Sequence, residues 1–136
     1  MAVPEGQRGE SKFAVLVKAQ QLCIYTIKIC NNKKIFLQEY QSALTNDIIR
    51  TAKDIFIDCW TANNIMVRGN EEKQKERRRL QERAARNCNN LLALMQIAQT
   101  LFHLKLKRIK YWGGQTIEVR NLIRSWTESD AKRYKK

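Results

Sequence analysis

The sequence predicts an all-α protein, an antiparallel up-down-up-down four-helix bundle. Three observations lead there. Proline is absent after position 4. Apolar residues recur at steps of three and four through most of the chain, the repeat of a helix with one buried face. No run of strand-like alternation longer than four residues stands out, and the segments between the helical patterns are short, which favours neighbours that reverse direction. The 136 residues suit one domain with a modest core.

Residues 1–11 hold the only proline and two of the five glycines. They show no period and read as a disordered leader without the apolar core of a signal peptide. The bundle is expected over 12–130, with a basic tail at 131–136.

Helix one is predicted from Lys12 to Cys30. Phe13, Leu16, Gln20, Cys23, Ile27 and Cys30 form its stripe. Val15, Leu22 and Ile29 make a second row, read either as a wider core face or as an oligomer contact. Asn31–Glu39 is the first joint, with Phe36 and Leu37 tucked against the bundle end. Helix two is predicted from Tyr40 to Ile65 on Leu44, Ile48, Ala52, Ile55, Cys59, Ala62 and Met66, with Ile49, Phe56 and Trp60 on an adjoining face. Asp47, Asp54 and Asp58 read as its solvated side.

Asn70 is an N-cap candidate for helix three, followed by Glu71 and Glu72 at the positive end of the dipole. This helix is expected to run to about Lys107, charged up to Arg86 and apolar beyond. Helix four follows a joint near Lys107–Lys110. Its stripe is Ile109, Trp112, Thr116, Val119, Ile123 and Trp126. Gly113 and Gly114 imply either a later start or a close neighbouring backbone.

Charge is the main functional signal. There are 26 Lys and Arg against 13 Asp and Glu, a net +13. Residues 1–67 contribute +2, 68–104 +4 and 105–136 +7. Such an excess favours an anionic partner, most commonly nucleic acid. Arginine forks bind phosphates bidentately, and each neutralised phosphate releases counterions. The expected contacts are Arg77, Arg78, Arg79, Arg83 and Arg86 on helix three. Lys105, Lys107, Arg108, Lys110, Arg120, Arg124, Lys132 and Arg133 complete the set. Tyr111 lies off the apolar stripe and is the candidate for stacking on a base.

No catalytic constellation is visible, and no cofactor or metal is expected. His103 is the one histidine. Cys23, Cys30, Cys59 and Cys88 lack metal-ligand spacing and read as buried free thiols, in keeping with a cytoplasmic setting. The longest apolar run, Leu91–Leu106, is too short and too polar to span a membrane.

Lys110-Tyr111-Trp112, Val119-Arg120, Ser125-Trp126, Ser129-Asp130 and Lys132-Arg133 form a pattern. With Leu16-Val17-Lys18-Ala19 and Phe36-Leu37 ahead of Tyr40, it resembles a superfamily of small four-helix bundles. One branch is the accessory variability determinant of diversity-generating retroelements. Another is encoded in intervening sequences of bacterial 23S ribosomal RNA genes. The resemblance covers roughly residues 12–133. Leu37 stands where members often carry proline. The retroelement branch implies a basic, ring-like homopentamer that binds nucleic acid and associates with a reverse transcriptase, which copies template-repeat RNA into cDNA. The ring's basic surface would then use Arg79, Arg83, Arg86, Lys105, Arg108, Arg120 and Arg124, and the Val15 row would fit the subunit interface. The expected role is a non-enzymatic accessory of that polymerase. The alternative is a structural or interaction bundle of the intervening-sequence type.

Overall fold

The computed structural model describes residues 5–134, with side chains from Ala14 onward. Four helices pack around one core: α1 (Glu5–Cys30), α2 (Asn46–Asn64), α3 (Glu71–Phe102) and α4 (Leu106–Arg133). Each touches the next, and α4 returns to α1, so the four form a closed ring of neighbours. The backbone of α1 begins seven residues before the predicted start, inside the segment read as a leader. Met1–Pro4 lie outside the described residues, as do the tail lysines Lys135 and Lys136.

The core face of α1 is wider than the expected stripe and centred on the second row, with Cys23 and Cys30 of the expected stripe buried as well. Val15, Leu22 and Ile29 are buried, with Ala19, Thr26 and Cys30 beside them. Ile27, on the stripe expected to face the core, is 37% exposed, and Gln20 is exposed. The Val15 row is therefore core, and it offers nothing to a neighbouring subunit. The two rows lie about 100° apart on a helix, so periodicity finds both and cannot choose between them. Small Ala19 and hydrogen-bonded Thr26 suit the crowded interior. Thr26 Oγ1 donates to the Leu22 carbonyl at 2.8 Å and accepts from Trp112 Nε1 at 3.0 Å.

Asn32 closes the end of α1. Its carbonyl accepts from the Phe36 amide at 2.8 Å, and its side chain accepts from the Lys34 amide at 3.1 Å. The turn drives Phe36 into the bundle end, 4.9 Å from the Phe102 ring and 6.2 Å from Trp112. Leu37 is not tucked in; it is 38% exposed. A 3-10 turn (Gln38–Tyr40) and a π turn (Gln41–Thr45) then lead into α2, later than predicted. Met66 is likewise outside the helix and exposed, because the chain turns extended at Ile65.

Arg68 and Gly69 both take positive φ, 45° and 76°. Glycine holds the second at little steric cost. Asn70 then caps α3, its side chain accepting from the Lys73 amide at 3.1 Å, as the sequence predicted. α3 stops at Phe102, five residues short of the prediction, because His103 turns left-handed at φ 55°. His103 is exposed at this cap, and Leu104 beside it is buried.

α4 runs unbroken through Gly113 and Gly114. No close backbone explains the pair. A Cβ at Gly113 would meet only Leu92 Cδ2 at 3.8 Å, and one at Gly114 nothing within 4 Å. Gly114→Ala should therefore stabilise the protein by about 0.5–1 kcal/mol, read as a higher urea midpoint at unchanged slope. A drop in the midpoint would mean that α4 needs the flexibility.

No described helix is long and apolar enough to cross a membrane.

Candidate nucleic-acid interface

The predicted cations fall into three environments, and helical geometry decides which side chain goes where. Arg77 lies on the buried stripe of α3 with Gln81, Ala84, Cys88 and Leu91, and is 3% exposed. Its Nε donates to Asp130 Oδ2 at 2.6 Å and its Nη2 to Oδ1 at 3.1 Å. Gln81 Nε2 adds a bond to Asp130 Oδ2 at 2.8 Å, and Arg77 Nη1 reaches the Ile65 carbonyl at 3.3 Å. The guanidinium stands 5.3 Å from the Trp126 ring centre and 5.9 Å from that of Tyr134. Arg77 is thus removed from the nucleic-acid set: its donors are spent inside the protein. Asp130 belongs to the core stripe of α4, one turn beyond Trp126, and extending that stripe by a turn would have found it.

Arg83 faces α2. It holds Asp58 by two bonds, Nε to Oδ2 at 2.9 Å and Nη2 to Oδ1 at 2.7 Å. The hydrogen bond and the charge of Asp58 raise its pKa further. Asp58 is buried, so it does not belong to a solvated acidic face. Arg83 remains half exposed, but its carboxylate-facing edge is occupied.

The third group lies between α3 and α4. Arg78, Arg86 and Arg124 line an open groove of about 540 Å³ together with Glu82 and Glu128. Arg78 pairs with Glu82 at 3.1 Å. Among the described residues Arg86 and Arg124 make no ion pair, and both are exposed. Arg120 continues the row; its Nη1 donates to Asn89 Oδ1 at 2.8 Å while its Nε has no partner. Arg79 sits apart, in a shallow cleft with Lys73, Lys75, Glu72 and Glu76. Lys105, Lys107 and Lys110 are exposed at the start of α4, with Arg108 partly covered. Lys132 and Arg133 are exposed in its last turn, Arg133 lying 5.4 Å from the Tyr134 ring centre.

Trp112 and Trp126 are core residues, as expected, and Tyr111 is 58% exposed with its ring edge-on to Tyr25 at 5.1 Å. Tyr111 lies on the α1 side of α4, away from the arginine groove.

Comparison with protein-family models, curated proteins and solved structures gives no match.

The four cysteines are buried free thiols. Burial pushes Cys30 up to about 12 despite Lys33, and Cys88 up to about 12 despite Arg120 and Arg124. Cys59 is raised by burial, with Cys88 and Asp58 adding to it. Little thiolate exists at neutral pH, so these groups are weak nucleophiles. Among the described residues no group of three or more His, Cys, Asp or Glu is placed to hold a metal ion.

Proposed function

We propose that the protein is a non-enzymatic bundle that binds nucleic acid by its phosphates, through the groove between α3 and α4. Arg78, Arg86, Arg120 and Arg124 form the track, and Lys105, Lys107 and Lys110 extend the positive field. The observation that carries this reading is the pair Arg86 and Arg124: exposed, facing one groove and without carboxylate partners. Such contacts position a strand without reading its sequence. The reading is helped by helices that alternate in direction, which brings the charged turns of α3 and α4 side by side. Crossed pairs support that arrangement. Asp58 meets Arg83 and Ile65 meets Arg77 across α2 and α3, while Asn89 meets Arg120 and Arg77 meets Asp130 across α3 and α4.

The resemblance extends this proposal to a retroelement accessory that assembles as a ring and hands template RNA and cDNA to a reverse transcriptase. That extension rests on sequence likeness alone, and the ring would need a surface other than the Val15 row. A second reading is an interaction bundle of the intervening-sequence type, whose charge is incidental. Two observations favour it: Arg77 and Arg83 are engaged by carboxylates, and Glu82 and Glu128 interrupt the groove.

Arg120→Glu with Arg124→Glu separates the two. On the phosphate reading, affinity for a single-stranded RNA falls by at least about tenfold, and the log affinity–log salt slope flattens by about 1.4, for two lost contacts at about 0.7 each. Helical circular dichroism should not change. Equal affinity and slope in variant and parent would favour the incidental-charge reading.

A further inference from the structure

The flank of α1 beside its Val15 row does not go unmatched. Leu16, Gln20, Cys23 and Ile27 recur at four, three and four residues, one straight strip on a helix. On α2, Ile49, Lys53, Phe56 and Trp60 recur at the same intervals. Asp58 on the far flank of α2 reaches Arg83 of α3, and Tyr25 on the far flank of α1 meets Tyr111 of α4, so the two strips lie on the flanks that α1 and α2 turn to each other. Leu16, Ile49 and Phe56 are half-buried against the core. Ile27 is 37% and Trp60 55% exposed, with the Phe56 and Trp60 rings 5.9 Å apart. Two apolar walls with an aromatic end form a seam that nothing in the protein covers.

Most charges of α1 and α2 are paired or turned to other neighbours. On α1, Lys18 reaches Glu118 of α4 at 3.7 Å, so it faces away from the seam. On α2, Asp58 binds Arg83 and Asp54 also acts on Arg83, so both turn toward α3. Asp47 is paired with Arg50. Lys53 is left as the charge within the seam. A second copy would bring together two chains of net +13, and a nucleic acid would find one cation in an apolar strip.

We propose that the α1/α2 seam is a docking site for an amphipathic helix of a partner protein, with an apolar stripe that seats against Ile27, Phe56 and Trp60 and carboxylates that meet Lys53. This is helix-in-groove recognition, with the aromatic as anchor and the charge setting partner choice. It is independent of the phosphate-binding reading, because the seam lies on the other side of the bundle from the α3/α4 groove.

Trp60 supplies the readout. Trp112 and Trp126 are 0% and 3% exposed, so acrylamide quenching of the full chain reports Trp60. The probes are two synthetic helical peptides with the same leucine stripe, one flanked by glutamates and one by lysines. The glutamate peptide should shield Trp60 saturably and the lysine peptide should not. Lys53→Glu should weaken the first by about tenfold or more and create binding of the second. The Arg120→Glu, Arg124→Glu variant should bind the glutamate peptide as the parent does, and Lys53→Glu should leave RNA affinity unchanged, so the two sites fail separately. Equal shielding by both peptides, or none by either up to about 1 mM, overturns the proposal. So does shielding of Trp60 that rises with protein concentration alone, alongside a growing sedimentation coefficient, which would make a second copy the occupant.

Discussion

Replacing Asp130 with alanine should cost the bundle about 3–5 kcal/mol, because it strands the Arg77 guanidinium in the core with two of its bonds gone. The carboxylate accepts from Arg77 at 2.6 and 3.1 Å and from Gln81 at 2.8 Å. No water-exposed rotamer is close by, since Arg77 is 3% exposed. Arg77→Ala should cost a similar amount by leaving Asp130 unpaired. The double change Arg77→Met with Asp130→Leu should regain most of the loss, because a buried ion pair gains little over well-packed apolar side chains once both desolvation costs are removed. Urea unfolding of Arg77→Met and Asp130→Leu, alone and together, closes the cycle. Additive losses in the double variant would show that the two residues act independently. RNA affinity at a temperature where each variant stays folded should follow the parent, since neither group lies in the groove.

Trp112→Ala should cost about 3–5 kcal/mol, the usual range for emptying a large aromatic site. Trp112 is fully buried with its ring 6.2 Å from Phe36, which packs 4.9 Å from Phe102 at one end of the core. Its indole N–H donates to Thr26 Oγ1, joining α4 to α1 in the interior. Thr26→Val keeps the shape and removes that acceptor, so it should cost about 1–3 kcal/mol for the stranded indole donor. Thermal unfolding of both, followed by helical circular dichroism, checks the order: the alanine variant must melt well below the valine variant. Equal melting temperatures would mean that the hydrogen bond, not the packing, dominates at this position.

Much of the candidate site was legible because it depends on composition and period. Arg86 and Arg124 read as outward-facing cations and are exposed, whereas Arg120, read the same way, is half-buried against Asn89. Arg77 and Arg83 misled because charge was counted without partners. A run of three arginines looks like one patch, yet successive residues on a helix point about 100° apart. That rotation sends Arg77 into the core, Arg78 to the groove and Arg79 to a separate cleft. Their carboxylate partners lie 53 and 25 residues away, beyond any local pattern. The end of α3 was misplaced for a different reason. Lys105 and Lys107 continue a helical composition, and nothing at His103 announces a left-handed turn, which glycine or asparagine more often supplies.

The sequence alone determined that the chain is helical, that it forms four helices, that Ile48 to Ala62 and Trp112 to Trp126 carry the buried stripes of α2 and α4, and that positive charge gathers in the second half. These follow from local period, capping residues and composition, which need no knowledge of neighbours. Only the tertiary structure decided which of two equally periodic rows of α1 leads the core and which arginines are neutralised. Each of those outcomes is a competition between faces for a limited interior, and a competition has no winner until the other helices have taken their places.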